Sequence, residues 1–541
     1  MSTNISKEKR EKLISEIKAI RDYIAAAPQD KNTGNLLTYL SEIEKDIKGK
    51  KYGLVFEEHR EGIDEVLATH TPVLSEDTGL FIDNGGQMNF LIEGDNLASL
   101  QLLEKTHKGK IDLIYIDPPY NTGNKDFVYD DTFVDSIDNF RHSKWISFMK
   151  KRLEIAYRLL SKNGVLFVSI DDNEQAQIKL LCDSIFDCGN FVSNMVWKSK
   201  SGGANDSGQI VNDHEYILVY AKNIDLLKLN NDRGASPTTL YNYEDSNGRY
   251  ALERLDKQNL RYSDSLNFDI IGPDGQTYKL EHKDPQKPNA TWRWSKETIA
   301  EHYEDLVFKN GHVYTKNYEK QDGQKPRSLL IDERFGRTRT GSTDLRKIVD
   351  SSIFSYPKPI NLLSFITSIA TTQQSTILDF FAGSGTTGHA VMKLNAEDGG
   401  TRKFILCTNN ENNICRDITY ERIKRVIEKE SYVASLKYYK VDYIPISDKL
   451  YYEYADELLK HIKELVELEN GVNFSNNNEI AILLTEDEVS AFVSDEAILK
   501  SCKKIYLGHD VLLDGNQEYI LDQNKIELNI IPEYYYKELE A

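Results

Sequence analysis

Short apolar runs alternate with longer helical stretches through the middle of the chain. Four of these runs are predicted to be strands, at residues 90–95, 111–117, 164–171 and 215–221. A helix is predicted between two of them, at residues 145–160. Runs that are apolar on both faces and joined by helices indicate an α/β fold with a doubly wound parallel sheet. Ligands bind such sheets beyond the carboxyl ends of the strands, where Asp95, Asp117 and Asp171 lie in this sequence.

The two ends of the chain follow other patterns. In residues 13–24 and 36–47 apolar side chains recur at 4-3-4 spacing, which predicts two helices that form an antiparallel hairpin. We interpret the hairpin as a peripheral element packed on the body, the alternative being an arm for dimerisation or for a partner. Beyond residue 438, a predicted helix at 452–468 and predicted strands at 479–484 and 504–508 indicate a small α/β domain.

Charge is distributed unevenly along the 541 residues. The 67 Lys and Arg against 86 Asp and Glu give a net charge of −19, of which residues 441–541 carry about −14. Residues 279–347 have the opposite sign, with about 15 basic and about 11 acidic side chains among several aromatic ones. This basic, aromatic segment suits contact with phosphates. The acidic tail suits dimerisation or partner docking, or serves only to stabilise the protein.

No segment of the sequence indicates export or a membrane. The first residues, MSTNISKEKREKL, contain no apolar stretch behind their basic side chains, and no run approaches about 18 consecutive apolar residues. The five cysteines form no CxxC pair and no Cys/His ligand spacing, which argues against a zinc site and a disulfide framework. We therefore expect a cytoplasmic protein that binds no metal.

The most informative segment is IDLIYIDPPYNTG at residues 111–123. An apolar strand ends at Asp117, and Pro118 and Pro119 then fix the backbone, lack N–H donors and keep their carbonyl acceptors. With Tyr120 these groups suit a planar base that carries an exocyclic amine, because the acid and a proline carbonyl accept its two N–H bonds while the ring stacks. The alternative is a strand-end turn in which proline only breaks the strand.

A second motif, STILDFFAGSGTTGHAV at residues 375–391, predicts a strand, a glycine-rich turn and the start of a helix. Asp379 ends the strand, Gly383 and Gly385 permit a tight turn, and Thr386 opens the helix. The turn indicates a nucleotide-like ligand, and the lack of a GKT or GKS ending argues against a phosphate-binding loop. About 25 residues later Glu411 follows a further strand, where an acid reaches ribose hydroxyls in this fold type. The alternative for Glu411 is a solvated loop acid.

The two motifs, Asp-Pro-Pro-Tyr at 117–120 and Asp-x-Phe-x-Gly-Ser-Gly at 379–385, resemble in type and order those of the beta class of amino-methylating DNA methyltransferases. The resemblance extends from about residue 89 to 428 and includes PKP at 357–359, WKSK at 197–200 and HEYILVYAKN at 214–223. The chain looks like the modification subunit of type III restriction-modification systems, or a solitary relative of it. This resemblance implies a Rossmann-like fold with circularly permuted motifs, in which the N-terminal half carries the chemistry and the C-terminal half binds S-adenosylmethionine.

The resemblance also implies a reaction. A methyl group is transferred from S-adenosylmethionine to the N6 amine of an adenine flipped out of duplex DNA, without a covalent intermediate. An acid in the first motif position suggests adenine, whereas a serine there would suggest cytosine N4. The alternatives are a cytosine-N4 methyltransferase, an RNA or protein methyltransferase, and a DNA-binding specificity subunit without catalysis. The implied partners are double-stranded DNA, a second copy of the chain and a restriction subunit.

Further site residues follow from the resemblance and from the basic, aromatic segment. Lys358 resembles the lysine near the methionine carboxylate of the cofactor, the alternative being a surface cation. Phe381, Thr386 and Asn121 are expected to line the cofactor cleft. The basic side chains expected to contact DNA, the alternative being a solvated basic loop, are Lys198, Arg293, Arg334, Arg337 and Arg339.

These observations together divide the chain into five predicted regions. The regions are a helical hairpin at 1–50, the catalytic half of the methyltransferase domain at 51–228, a target-recognition region at 229–350, the S-adenosylmethionine-binding half at 351–435 and an acidic C-terminal domain at 436–541.

Overall fold

The computed structural model describes most of the chain. The described residues are 5–26, 33–48, 56–123, 127–129, 132–133, 135, 137–202, 209–234, 241–257, 263–280, 291–319, 323–349, 354–446, 457–474 and 477–531. Within these ranges no helix is long and apolar enough to cross a membrane.

A ten-stranded sheet forms the centre of the protein. In chain order its strands are β1 (His70–Glu76), β2 (Gln87–Glu93), β3 (Ile111–Ile116), β4 (Leu160–Ile170), β5 (Phe191–Lys198), β6 (His214–Ala221), β7 (Leu329–Leu330), β8 (Thr376–Asp379), β9 (Lys403–Thr408) and β10 (Ala434–Pro445). Across the sheet they are ordered β1-β10-β2-β9-β8-β3-β4-β6-β5-β7. The six adjacent strands from β10 to β4 are parallel, whereas β1 and β6 run antiparallel to their neighbours. The predicted doubly wound α/β sheet is therefore confirmed, but it is mixed rather than parallel throughout.

Helices pack on both faces of this sheet. The described helices are α1 (Ile5–Ala26), α2 (Thr33–Lys48), α3 (Gly62–Thr69), α4 (Asn96–His107), α5 (Arg141–Leu159), α6 (Gln175–Phe186), α7 (Lys296–Glu301), α8 (Thr338–Ile348), α9 (Ile360–Ala370), α10 (Thr386–Asp398), α11 (Glu421–Glu430), α12 (Ile462–Asn470), α13 (Glu486–Ser494), α14 (Glu496–Ser501) and α15 (Gly515–Gln523). Side chains of β3 alternate between two apolar cores, with Ile114 and Ile116 in one and Leu113 and Tyr115 in the other. Helices α4, α5 and α6 contribute to the first core and α9, α10 and α11 to the second. A strand covered on both sides is apolar at successive positions, which explains the apolar run of residues 113–116 in β3.

The chain changes direction between the adjacent strands β8 and β3. From β8 it continues through α10 to β9 on one side, and from β3 it continues through α5 to β4 on the other. The helices therefore diverge at this point and leave a crevice at the carboxyl ends of the two strands, which is where ligands bind in open α/β sheets. Both predicted motifs follow these two strands.

The described residues 241–257, 263–280 and 291–319 form a separate unit with its own core. Four antiparallel strands lie side by side in the order Leu306–Lys309, His312–Tyr318, Gly248–Arg254 and Tyr243–Asp245. Leu255, Trp292 and Val313 are buried together beside this sheet. The basic, aromatic segment predicted from composition is thus in part a folded β unit.

The predicted target-recognition region, 229–350, extends too far at its C-terminal end. Strand β7 pairs in parallel with β5 of the large sheet. Leu330 and Phe335 are buried in one of the two cores of that sheet, and Leu345 of α8 packs on Ile418. Residues 323–349 therefore belong to the body that carries the sheet, because Leu330, Phe335 and Leu345 are buried there.

The predicted N-terminal hairpin corresponds to α1 and α2, which pack on each other, with Arg21 2.9 Å from Glu44. Ile17 is buried, whereas Leu13, Ile20 and other apolar residues of the two stripes keep almost half of their surface exposed. The stripes are therefore only partly covered, although we predicted that they were packed.

The predicted boundary at residue 436 is wrong, because it lies inside β10. This strand pairs with β1 and β2 along its length, so its residues belong to the large sheet. Helix α12 also packs on that body, where Leu465 joins the core beside α4. The predicted small α/β domain is found further on, as a parallel sheet of Ile480–Leu483, Lys504–Leu507 and Glu527–Ile530. Residues 447–456, which include the start of the predicted helix, lie outside the described part of the chain.

Candidate active site

Asp117 is the first residue beyond the buried strand β3, at the carboxyl edge of the sheet. The ammonium Nζ of Lys358 lies 2.7 Å from Oδ1 and 2.8 Å from Oδ2 of its carboxylate. Burial raises the pKa of Asp117, and the Lys358 ammonium opposes that shift. The carboxylate is therefore one member of a largely buried ion pair rather than a solvated acid.

Lys358 reaches this edge from the segment that precedes α9. The segment packs closely on α8 at Gly341, where a side chain would lie 2.0 Å from the carbonyl oxygen of Pro357. Burial disfavours the ammonium, but Asp117 and Glu215 outweigh it and raise the pKa of Lys358. We predicted from the sequence that Lys358 lies beside the carboxylate of the cofactor. In the structure its ammonium contacts two carboxylates of the protein itself.

Glu215, near the start of β6, is the second of these carboxylates. Its Oε2 lies 3.3 Å from Lys358 Nζ. Because β6 runs antiparallel to β4, its first residues come to the edge where the parallel strands end. The apolar pattern of residues 214–221 does not reveal this direction, so the sequence alone does not predict Glu215 as a site residue. The available signal was an acid at the start of an apolar strand.

The hydroxyl of Tyr120 connects these three charged groups. It accepts a hydrogen bond from Lys358 Nζ at 2.8 Å, and it lies 2.9 Å from a carboxylate oxygen of Asp117 and of Glu215, to one of which it donates. Burial, together with the two carboxylates, raises the pKa of Tyr120 well above its ordinary value, so the hydroxyl keeps its proton. Tyr120 thus acts as a neutral bridge within a cluster that we call the Asp117 cluster, formed by Asp117, Tyr120, Glu215 and Lys358.

The loop that carries Tyr120 is anchored on both sides of this residue. The Pro119 carbonyl accepts the indole N–H of Trp145 in α5 at 2.7 Å. Asn121 is fully buried, has a left-handed φ of 57°, and donates from its amide to Glu174 Oε1 at 2.5 Å. The same oxygen lies 2.7 Å from Nδ1 of His142. We predicted Asn121 to line the cofactor cleft, and the structure directs its amide to Glu174 instead.

The Glu174 carboxyl gives a testable pH dependence of stability. Burial raises the pKa of Glu174 to about 8, against the opposing hydrogen bond from Asn121, and burial lowers the pKa of His142. Between about pH 4.5 and pH 8 the unfolded chain has lost the Glu174 proton while the folded chain retains it, so rising pH favours unfolding across this window. We expect urea unfolding at pH 5, 6.5 and 8 to show that the wild type loses stability with pH relative to Glu174→Gln. Parallel stability curves for the two proteins would contradict the assignment.

Asp379 fixes the glycine-rich turn that follows β8. Its Oδ1 accepts the backbone N–H of Phe381 at 3.0 Å, and its Oδ2 accepts the hydroxyl of Thr387 at 2.5 Å. Burial raises the pKa of Asp379 to about 7; the two hydrogen bonds oppose the shift and the nearby charge of Asp117 adds to it. The turn and the Asp117 cluster are thus electrostatic neighbours across the crevice between β8 and β3.

Glycine is required at two positions of this turn. Gly383 and Gly385 have left-handed φ values of 50° and 75°. A side chain at Gly383 would also lie 2.9 Å from the ring of Phe354. Thr386, which we predicted to line the cofactor cleft, is buried and accepts a hydrogen bond from the buried Arg422 at 2.7 Å. Its hydroxyl therefore supports the turn from the protein interior.

The remaining predicted cofactor residues lie at the same edge of the sheet. Glu411 follows β9, the neighbour of β8, and its side chain is exposed in a turn where Asn412 and Asn413 have left-handed φ values of 51° and 59°. Phe381 is half-buried, with its ring centroid 5.9 Å from that of Phe148. Side chains that follow three adjacent strands, β9, β8 and β3, thus border one crevice.

Two of the arginines predicted to contact DNA are held within the fold. Arg334 makes a two-pronged ion pair with Asp232, with Nη1 3.0 Å from Oδ1. Arg337 is only 8% exposed, and its guanidinium donates to the backbone carbonyls of Ile331, Asp332 and Gly336. Both side chains hold residues 331–337 against the body. These contacts occupy guanidinium N–H groups that a phosphate would need.

The other three predicted DNA contacts have different surroundings. Arg293 Nη1 lies 2.6 Å from Glu253 Oε1 within the inserted β unit. Lys198 ends β5 and Arg339 is exposed in the first turn of α8. The two lie on adjoining segments, because the backbone N–H of Thr338 donates to the carbonyl of Ser199 at 2.9 Å.

The sequence of this chain is similar to those of known proteins. Residues 111–421, more than half of the chain, match the DNA methylase family N6_N4_Mtase. The type II methyltransferase M.KpnI of Klebsiella pneumoniae is 38% identical over 335 residues, which cover 59% of this chain and 79% of that protein. The type III Mod subunits EcoPI of Escherichia phage P1 and StyLTI of Salmonella typhimurium are 33% and 34% identical over 379 and 395 residues. Those alignments cover 61% and 64% of this chain and 58% of each subunit.

Among solved structures, a putative DNA modification methylase from Thermus thermophilus complexed with S-adenosyl-L-methionine is 13% identical. The match covers 65% of this chain and 99% of that chain, with a TM-score of 0.32. The family of this chain is shown by the family match over residues 111–421, and the alignment with M.KpnI agrees with it. This chain belongs to the DNA methylase family.

Proposed function

We propose that this DNA methylase transfers a methyl group from S-adenosylmethionine to the N6 amine of an adenine that is flipped out of duplex DNA. The observation that carries the proposal is the Asp117 cluster, which lies at the switch point of the sheet beside the Asp379 turn. A site of this kind suits a base amine on one side of the crevice and a nucleotide-like cofactor on the other.

The protein groups that act on the base are acceptors and a ring. Asp117 accepts one amine hydrogen, and we assign the second to the carbonyl of Pro118, because the Pro119 carbonyl already accepts the indole N–H of Trp145. Positive charge develops on the amine nitrogen as it is methylated. Acceptors that are fixed before the reaction stabilise that charge without reorganisation. The reaction needs no covalent bond between protein and base.

Five of the predicted cofactor residues remain in the proposed cofactor site. They are Asp379, Phe381, Gly383, Gly385 and Glu411. S-adenosylmethionine, when bound, supplies an electrophilic methyl group. The turn carries no Lys or Arg, which suits a nucleoside without phosphates, and the exposed Glu411 carboxylate is suited to accept ribose hydroxyls. We leave out the buried Asn121 and Thr386, together with Lys358, because the Asn121 NH2 group, the Thr386 hydroxyl and the Lys358 ammonium bind other groups of the protein.

The choice of adenine rests on the acid at the first motif position. Asp117 is the residue type that the resemblance associates with adenine N6 rather than cytosine N4. Cytosine presents a similar exocyclic amine to the same acceptors, so cytosine N4 is the second candidate. The two differ in the modified nucleoside that is recovered from DNA.

Duplex DNA is proposed to contact Lys198 and Arg339. Trp197, the neighbour of Lys198, is paired with Glu215 across β5 and β6, and its ring centroid lies 6.0 Å from Lys358 Nζ. The segments that carry Lys198 and Arg339 therefore adjoin the Asp117 cluster, at a position from which cations can hold the phosphates that flank a flipped base. We further propose a restriction-modification role, with a second copy of the chain and a restriction subunit as partners. This proposal rests on relatives named as type III Mod subunits.

The function is tested on genomic DNA from cells that express the protein. We expect nucleoside analysis to detect N6-methyladenine and long-read sequencing to locate it in one defined sequence motif. Cells that express Asp117→Ala serve as the control and are expected to lack the modification. Recovery of N4-methylcytosine would replace the adenine proposal with its alternative. Unmodified DNA in the presence of active cofactor binding would contradict a DNA substrate.

A further inference from the structure

The Asp117 cluster contains one more acid than the chemistry described above uses. Asp117 and Glu215 are carboxylates, Lys358 is the ammonium between them, and Tyr120 is neutral. With both acids ionised and the lysine protonated, the four side chains carry a net charge of −1. The side chain of Glu215 is 17% exposed and that of Lys358 is 10% exposed, so water screens this charge only partly.

The contact between Lys358 and Asp117 conflicts with the proposed role of Asp117. The ammonium contacts both oxygens of the carboxylate that is meant to face the amine. An Asp117–Lys358 pair alone is neutral and offers no net attraction to the positive charge that develops on the amine. A second carboxylate that binds the same ammonium removes this conflict, since one negative charge then remains for the amine.

We propose that Glu215 is a positioning residue that balances the Lys358 ammonium, so that the carboxylate of Asp117 retains its charge for the reacting amine. The inference rests on the proposed function and assigns to Glu215 a role at the same site. The contacts that support it are Oε2 to Lys358 Nζ at 3.3 Å and Oε2 to the Tyr120 hydroxyl at 2.9 Å.

Other ionisable groups near the cluster are engaged elsewhere. Among the described residues, Asp379 accepts hydrogen bonds within its own turn, and Asp171 accepts two from Asn173 at 2.9 Å. The hydroxyl of Tyr115 pairs with Ser169 at 2.8 Å, and burial raises the pKa of this phenol well above its ordinary value. Among the described residues, the carboxylates that bind Lys358 are therefore those of Asp117 and Glu215.

The test is a double-substitution cycle measured by steady-state methyl transfer to duplex DNA. Glu215→Gln leaves the cluster neutral, and we expect kcat to fall tenfold to a hundredfold while the KM for S-adenosylmethionine changes less than threefold. Adding Lys358→Met to Glu215→Gln restores the net charge of −1. We expect the double variant to be faster than Glu215→Gln, although it lacks one more side chain of the site. If Glu215 served only to hold Lys358 in place, the double variant would be no faster than Glu215→Gln.

A matched control is a residue that anchors the strand of Glu215 without being part of the Asp117 cluster. Asp172 accepts the hydroxyl of Tyr216 at 2.9 Å and so holds the start of β6 without touching Lys358. We expect Asp172→Asn to change kcat less than threefold. A loss as large as that of Glu215→Gln would show that anchoring of the strand, rather than charge, causes the effect, and would overturn the proposal.

A stability measurement separates this inference from the proposed function. Unfolding of wild type, Glu215→Gln, Lys358→Met and the double variant gives the coupling between the two side chains without any chemistry. We expect a coupling of at least tenfold in the folding equilibrium constant. Independent effects would mean that Glu215 does not bind Lys358, which overturns the inference whatever the activity. If the two side chains are coupled but the wild-type protein methylates no DNA, the proposed function is refuted, and the role of Glu215 in the reaction is refuted with it.

Discussion

Replacing Asp117 by alanine is expected to lower kcat for methyl transfer by at least about a thousandfold, at the upper end of the loss seen when one preorganised polar group is removed from an active site. The reason is twofold. The amine loses a hydrogen-bond acceptor, and the Lys358 ammonium, which contacts Asp117 at 2.7 and 2.8 Å, stays behind with Glu215 as its remaining carboxylate. Single-turnover transfer of labelled methyl groups to duplex DNA measures this loss.

Cofactor binding provides the control for Asp117→Ala. The proposed cofactor residues lie at the end of β8 or beyond β8 and β9, whereas Asp117 follows β3. We therefore expect calorimetry to give an S-adenosylmethionine affinity within about threefold of the wild type. A variant that still transfers methyl groups at a tenth of the wild-type rate would exclude Asp117 from the chemistry. A variant that no longer binds the cofactor would make Asp117 part of the cofactor site.

Replacing Asp379 by alanine is expected to weaken cofactor binding, which Asp117→Ala is expected to retain. The substitution leaves the Phe381 N–H and the Thr387 hydroxyl without their acceptor in a buried turn, which costs about 2 to 4 kcal/mol of folding stability. Because the turn is then no longer fixed, we expect the affinity for S-adenosylmethionine to fall at least tenfold. Denaturant unfolding and calorimetry measure the two effects.

Asp379→Asn is the matched variant for this position. Its amide oxygen still accepts the Phe381 N–H, and its NH2 group can donate to the hydroxyl oxygen of Thr387, so much of the turn is kept. We expect it to lose far less cofactor affinity than Asp379→Ala. Wild-type affinity in Asp379→Ala, once folding is verified, would show that the cofactor binds away from this turn.

The sequence by itself determined the local elements and the two motifs. Residues 113–116 of β3 form a continuous apolar run because both faces of the strand are covered, and such a run can be recognised without knowing what covers it. Asp117 and Asp379 could be placed at strand ends for the same reason, and glycine at 383 and 385 indicated a turn that the structure confirms with left-handed φ values. These features depend on residues that are close together in the chain.

Only the tertiary structure decided which distant groups meet. Lys358 pairs with Asp117 across 241 residues, and neither neighbourhood in the sequence carries a signal for the other. Arg334 and Arg337 are basic side chains of the kind that contact DNA. In the structure, however, their guanidinium groups donate hydrogen bonds to Asp232 and to three backbone carbonyls. Charge pairing depends on distance in space, which composition does not report.

Strand direction was the other feature decided by the tertiary structure. Side chains alternate with a period of two whether a strand is parallel or antiparallel, so the pattern of residues 214–221 reports burial and not direction. Direction decides whether the first or the last residue of a strand meets the ligand edge. Because β6 is antiparallel to β4, Glu215 lies at the site from the beginning of its strand, while Asp117 reaches it from the end of β3.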